Sequence, residues 1–185
     1  MKNIFLLFTT AFVFLFCTTC KKTSPAKVLP PITQTGASTF GCKINGQVWV
    51  PYYPCNDASW NGAVELAYSF NSANKNSVLP MSFGINAENF KDKNSLHIGT
   101  IGTLYGTGNI IDTLYIDFLA NSGVYSNCIG CPESNSHMFK ITKLDTVAKI
   151  ISGTFSFTLY GSSDSIVITD GRFDLQIGQY SHCTN

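Results

Sequence analysis

The sequence predicts an all-β protein, an antiparallel β-sandwich or flattened barrel of about eight to nine strands, and three observations lead there. From residue 39 onward apolar side chains recur at every second position rather than at helical spacing. Turn residues break that alternation at short intervals. Only 12% of the 185 residues are charged, with a formal net charge of +1, about half the usual ~25%. Polarity is therefore carried by Ser, Thr and Asn, which suit strand faces and turns. The same figures argue against a coiled coil or a highly charged disordered chain. The longest run of like charge is Lys21-Lys22, so there is no electrostatic footprint for a nucleic acid.

The chain opens on Lys2 and an apolar run over residues 4–16, too short for a bilayer that requires about 20 apolar residues. Residues 1–19 read as an export signal, and five of the 14 Phe belong to it: Phe5, Phe8, Phe12, Phe14 and Phe16. Cys17 and Cys20 compete as the processed residue. Cleavage before Cys20 places Thr18 and Thr19 in the small subsites, whereas cleavage before Cys17 places Phe16 beside the scissile bond. Residues 20–38 follow, with Pro25, Pro30 and Pro31 and no sustained periodicity. They read as a tether which, at ~3.1 Å per residue in polyproline geometry, reaches about 50 Å. Residues 39–185 form the single folded domain.

Within that domain, residues 39–44 and 47–50 flank Asn45-Gly46, the pair a type I′ hairpin turn favours because both central positions take positive φ. Residues 63–71 alternate Val64, Leu66, Tyr68 and Phe70 against Glu65, Ala67 and Ser69. Residues 78–87 continue with Met81, Phe83 and Ile85, and Pro80 there suggests an edge or a bulge. Further strands fall at 96–104, 113–119 and 137–143, with one helical turn between Glu88 and Ser95. Residues 149–160 set Ile151, Phe155, Phe157 and Leu159 against Ser152, Thr154, Ser156 and Thr158. After a turn through residues 161–165, strands resume at 166–169 and again through Phe173, Leu175 and Ile177, with a bulge or tight bend at Asp170-Gly171.

Four segments carry a resemblance. The run ending Cys17-Thr18-Thr19-Cys20-Lys21-Lys22 resembles a bacterial lipoprotein signal, which implies that Cys20 receives diacylglycerol and becomes the mature N-terminus. Residues 40–51 (FGCKINGQVWVP), together with Ser152-Gly153-Thr154-Phe155 and Asp170-Gly171-Arg172-Phe173-Asp174, resemble the opening and closing motifs of a family of small Bacteroidota lipoproteins. The likeness covers the leader and both ends of the domain, not residues 52–136. It implies an outer-membrane lipoprotein, facing the periplasm or the cell surface and held to the bilayer through acylated Cys20, and it brings no catalytic or ligand residues. Read physically, Gly153, Gly171 and Trp49 are framework: two positions of close backbone approach and one large buried ring.

Five further cysteines, Cys42, Cys55, Cys128, Cys131 and Cys183, are disulfide candidates in an exported protein. Cys42 pairs most naturally with Cys55, near the first hairpin, and one bridge is expected among Cys128, Cys131 and Cys183. Cys128-Ile129-Gly130-Cys131 also admits a zinc reading with His137 and with His182-Cys183 of the tail. Redox chemistry is disfavoured because no helix N-terminus is expected there to lower a thiol pKa, and a c-type haem is excluded because Pro132 follows Cys131. No Gly-x-Ser-x-Gly elbow, phosphate loop or EF-hand spacing occurs. His97 lies in a strand pattern. The carboxylate pairs Asp112 with Asp117 and Glu65 with Glu88 have the chemistry of a glycosidase, but nothing in the sequence fixes their separation.

The remaining signal is aromatic. Tyr52, Tyr53 and Trp60 surround Pro54 and Cys55, with Tyr105 and Tyr125 elsewhere, and rings in loops either stack on sugars or peptides or close the end of the core. The expectation is a monomeric, non-catalytic envelope module with no metal or cofactor, serving binding or assembly. A glycan or an envelope protein is its candidate partner. The alternatives are a carbohydrate- or peptide-binding accessory protein using Tyr52, Tyr53 and Trp60, and a zinc-binding or enzymatic protein around Cys128, Cys131 and His137.

Overall fold

The structure is a computed structural model and describes residues 27–54, 62–70, 80–100, 107–109, 114–127 and 137–177. It is all-β. Eleven strands run in the order β1 (Thr39–Ile44), β2 (Gln47–Trp49), β3 (Val64–Phe70), β4 (Pro80–Asn89), β5 (Asn94–Thr100), β6 (Gly108–Asn109), β7 (Leu114–Ala120), β8 (Gly123–Ser126), β9 (Met138–Asp145), β10 (Ile150–Tyr160) and β11 (Ser165–Gln176). All the strand pairings are antiparallel and belong to one sheet, ordered β2-β1-β11-β10-β8-β7-β5-β4-β3, with β9 also on β10 and β6 on β9.

The sheet branches at β10. Residues 150–156 of that strand pair with β9, while its last residue, Tyr160, pairs with Ser126 of β8. The sheet curls so that its two halves press their apolar faces together: Phe83 of β4 stacks on Phe139 of β9 at 5.7 Å, and Trp49 of β2 meets Phe118 of β7 edge-on at 6.3 Å. This is a sandwich folded from a single sheet. It does not close into a barrel, although the parallel bridge from Tyr52 to Asn89 ties the segment after edge strand β2 to the end of β4.

The period-two pattern sets what lies between the layers. On β10, Ile151, Phe155, Phe157 and Leu159 are buried as expected, and Phe139 sits among Phe83, Phe155, Phe157 and Phe173. Asn45 and Gly46 take φ of 49° and 80°, the geometry of the expected I′ turn. The register slips at Asp170-Gly171, as a bulge there requires.

The closing motifs pair with each other. Gly153 lies opposite Phe173, and Phe155 opposite Gly171. A Cβ on Gly153 would stand 2.5 Å from the Phe173 ring, and one on Gly171 would overlap the Phe155 ring. Each glycine thus makes room for the other strand's phenylalanine, an interlocked Gly/Phe square at the centre of the core.

Three expectations are corrected. The span 88–95 holds no helical turn: β4 continues to Asn89 and reverses over residues 90–93. Asn89 Oδ1 accepts the Asp92 amide at 2.9 Å and Lys93 takes φ 51°, which makes this a hairpin turn. Strands β6 and β8 were not expected; β8 is a four-residue return after Asn121-Ser122, where the sequence shows only turn formers. Finally, residues 27–38 are not a free tether, as described next.

Candidate functional site

The segment 27–38 lies as a strap across the outer face of β1, β11, β10 and β9. Pro30 packs against Gly41, where a Cβ would stand 2.8 Å from its ring. Gln34 Nε2 donates to Thr142 O at 3.3 Å, and Lys143 Nζ donates to Gln34 O at 3.1 Å. The fastening is Asp174, buried on β11. Its carboxylate accepts six hydrogen bonds, from the Thr33 and Thr35 hydroxyls, the Thr35, Gly36 and Ala37 amides, and Ser152 Oγ at 2.7 Å. Burial alone raises a carboxyl pKa, but donors aimed at the charged form outweigh it. Asp174 is thereby held well below the usual carboxylate range. Its partners are hydroxyls and amides, the composition of a structural clasp. The strap's leading end reaches the β4–β5 turn, where Lys27 makes an exposed ion pair with Asp92 at 3.0 Å.

The opposite outer face, on β4, β5 and β7, carries side chains that reach solvent, apart from Asp117, which is buried. Register aligns them in rows across the strands. The first is Gly84, Gly99 and Tyr115; the second Asn86, His97 and Asp117; the third Glu88, Ser95 and Leu119. Gly84 has open space where a Cβ would project and Gly99 has only ordinary contacts, so the first row is a trough ended by Tyr115, whose ring is 47% exposed. Asp117, two residues along the same face, raises the Tyr115 phenol through a hydrogen bond and its charge, so the phenol keeps its proton. Past the third row a cavity of about 370 Å³ opens at the strand ends, lined among others by Glu88, Phe90, Lys93, Ser95, Leu119 and Asn121. Phe90 is 46% exposed and Leu119 43%. Rows two residues apart are separated by about 6.8 Å, so trough, polar row and cavity together run for about 20 Å.

The sites expected from sequence are distributed differently. Tyr53 is buried, with its ring packed edge-on against Phe90 at 4.7 Å, so it supports the face from beneath and is not a binding aromatic. Tyr52 is half-buried, and its backbone is spent on Glu88 and Phe90. Trp60 and Tyr105 lie outside the described residues. Tyr125 is a core residue of β8 whose hydroxyl donates to Asp164 at 3.2 Å. The exposed rings on this face, Tyr115 and Phe90, carry no binding signal in the sequence: Tyr115 lies within the expected strand 113–119 and Phe90 within the expected helical turn.

Cys42 is a free thiol, which corrects the expected bridge to Cys55. It points inward from β1 between Phe40 and Ile44, opposite Trp49, and is fully buried. Burial pushes its pKa up to about 12, so it behaves as a small apolar group. Cys20, Cys55, Cys128, Cys131 and Cys183 lie outside the described residues, as do His182 and Asp112. Trp49 is buried framework as expected, and its Nε1 donates to Asn94 at 2.8 Å. Glu65 stands opposite Asn86, and Glu88 lies one row on along the same face. His137 is half-buried beside Phe157, its two ring nitrogens enclosed without a hydrogen-bond partner, and burial lowers its pKa. Among the described residues no group of three or more His, Cys, Asp or Glu is gathered closely enough to hold a metal, and no helix is long and apolar enough to cross a membrane. No family model, curated protein or solved structure matches this chain.

Proposed function

We propose that this protein is a membrane-anchored envelope lipoprotein whose β-domain is a non-catalytic binding module, and that the outer face of β4, β5 and β7 is its ligand face. The observation that carries this reading is the alignment of a glycine trough, a row of hydrogen-bonding side chains and two exposed rings along about 20 Å of rigid sheet. Tyr115 and Phe90 offer flat apolar surfaces, while Asn86, His97, Ser95 and Asn121 offer donors and acceptors between them. An extended, hydroxyl-rich chain such as an oligosaccharide fits that chemistry, because a sugar ring presents an apolar face for stacking and hydroxyls at its rim. Two measurements test it. A glycan array probed with the full chain should show ligands whose binding falls at least tenfold in Tyr115→Ala; a blank array, or binding untouched by that change, sinks the ligand reading. Cys20→Ser should move the protein from the membrane to the soluble fraction; persistence at the membrane sinks the anchor.

A second reading is favoured by His137. A half-buried imidazole without a partner on either nitrogen has a lone pair available to a metal, and Cys128 and Cys131 precede it by a few residues. Zinc at one equivalent per purified chain, with those two thiols reduced in the intact mass, supports this reading, and a metal-free chain rejects it.

A further inference from the structure

We propose that the β4–β5 turn, residues 90–93, is the surface by which the domain rests on the bilayer, a surface of anionic phospholipid headgroups. The proposal rests on the reading of Cys20 as the acylated residue and goes beyond it, because an anchor alone does not say which side of the domain faces the lipid.

The first argument is chain length. A spacer through residue 38 would leave the domain free to turn in any direction. The strap limits that freedom: it is fastened at Pro30 on Gly41 and at residues 33–37 on Asp174, and its leading end lies beside Asp92, where Lys27 makes an exposed ion pair. Six residues lie between Cys20 and Lys27, and the chain from one to the other reaches at most about 25 Å. A domain of this size is about 40 Å across. The chain leaving the strap is therefore shorter than the domain is wide, and the end bearing Lys27 and Asp92 stays turned toward the anchor.

The second argument is the chemistry of that end. The turn presents Phe90, 46% exposed, beside exposed Lys91 and Lys93, while the charge of Asp92 is matched by Lys27. Lys21 and Lys22 follow the anchor itself in sequence. An exposed turn carrying two lysines suits a membrane interface, where the ammonium groups meet phosphates while Phe90 stays at headgroup level, open to the cavity it lines. In this orientation the ligand face stands up from the membrane, with the Phe90-lined cavity nearest the headgroups and Tyr115 about 20 Å further out along the strands.

The test is photocrosslinking of the full chain in its own membrane. A photoreactive residue is placed at position 91 or, as the comparison, at Val147, a 93% exposed residue of the β9–β10 turn. That turn adjoins the other end of the strap, where Gly36 meets Ile150. Lipid adducts should form at 91 in at least fivefold excess over 147. In vesicles containing phosphatidylglycerol, Lys91→Glu with Lys93→Glu should lower the yield of a probe at position 90 at least threefold, and should not do so in pure phosphatidylcholine. An acylated chain with no excess at 91, or with protein rather than lipid crosslinked there, overturns the inference alone. A chain whose intact mass carries no acyl group at Cys20 overturns the anchor and the inference together.

Discussion

The two outer faces of this sandwich are built in opposite ways. On β1, β11, β10 and β9 the chain covers its own sheet: the strap supplies three amides and two hydroxyls to Asp174, and Ser152 adds a third hydroxyl. On β4, β5 and β7 the polar side chains point outward, and the glycines leave space unfilled. A buried carboxylate saturated by the chain's own donors has nothing left for a ligand. A row of half-exposed amides, an imidazole and an exposed phenol does. The comparison separates polar groups that hold the fold from polar groups available to something else.

The largest effects should come from the core that both faces share. Gly171→Ala drives a methyl into the Phe155 ring on an interior strand, and Gly153→Ala meets both the Phe173 ring and the Lys140 carbonyl at 2.5 Å. Overpacking of this kind costs about 3 kcal/mol. Phe139→Ala removes the ring that four others contact and should cost about 3–5 kcal/mol. Urea titrations of the full chain check all three, and a change under 1 kcal/mol in Gly171→Ala would contradict the interlock.

Next is the clasp. Asp174→Asn keeps the shape but replaces a charged acceptor with an amide whose NH₂ faces N–H donors, at a cost of about 2–3 kcal/mol. Hydrogen exchange over residues 33–37 should accelerate more than exchange in β10, since the strap loses its fastening while the sheet persists. The sign of the pH dependence follows from the depressed pKa. Stability from Asp174 is fully present above the unfolded carboxyl value near 3.9 and is lost progressively as pH falls below it. Denaturation midpoints should be flat in this contribution from pH 5 to 8 and fall below pH 4, and the fall should be shallower in Asp174→Asn. A smaller and purely kinetic difference is expected at Cys42: with its thiol buried and its pKa about 12, alkylation in the folded protein should be at least a hundredfold slower than in denaturant. Peptide-level mass spectrometry reads it.

What could be read from sequence, and what could not, follows the same division. The strands of the core were legible because burial enforces alternation, as at Phe155, Phe157 and Leu159 of β10, and because Asn45-Gly46 can satisfy the positive φ of a tight hairpin. The clasp was not legible. Asp174 sits in a motif that reads as framework, and the strap that saturates it lacks any periodicity; its order comes from contacts some 140 positions away in sequence. Strands β6 and β8 escaped notice because two to four residues are too few to show a period. Compartment and proximity in sequence point Cys42 toward a bridge, whereas alternation along β1 turns its side chain inward with Phe40. The candidate face depends on which residues share a row, and register is a property of strand pairing that a single strand's pattern does not contain.

The smallest expected effect on stability is the sharpest test of the contrast. Gly84 is a strand glycine like Gly171, yet the position its Cβ would take is empty and its φ is not in the left-handed region. Replacing glycine inside a strand reduces the freedom of the unfolded chain, which stabilises by about 0.4–1 kcal/mol where the backbone conformation is compatible. Gly84→Ser should therefore leave the urea midpoint unchanged or raise it slightly. The same hydroxymethyl group would stand in the trough beside Tyr115, so any ligand seated there should bind at least tenfold more weakly. A destabilised Gly84→Ser protein would mean that the face is packed rather than open. A stable one that binds as before would move the ligand off the trough and onto the cavity at Phe90.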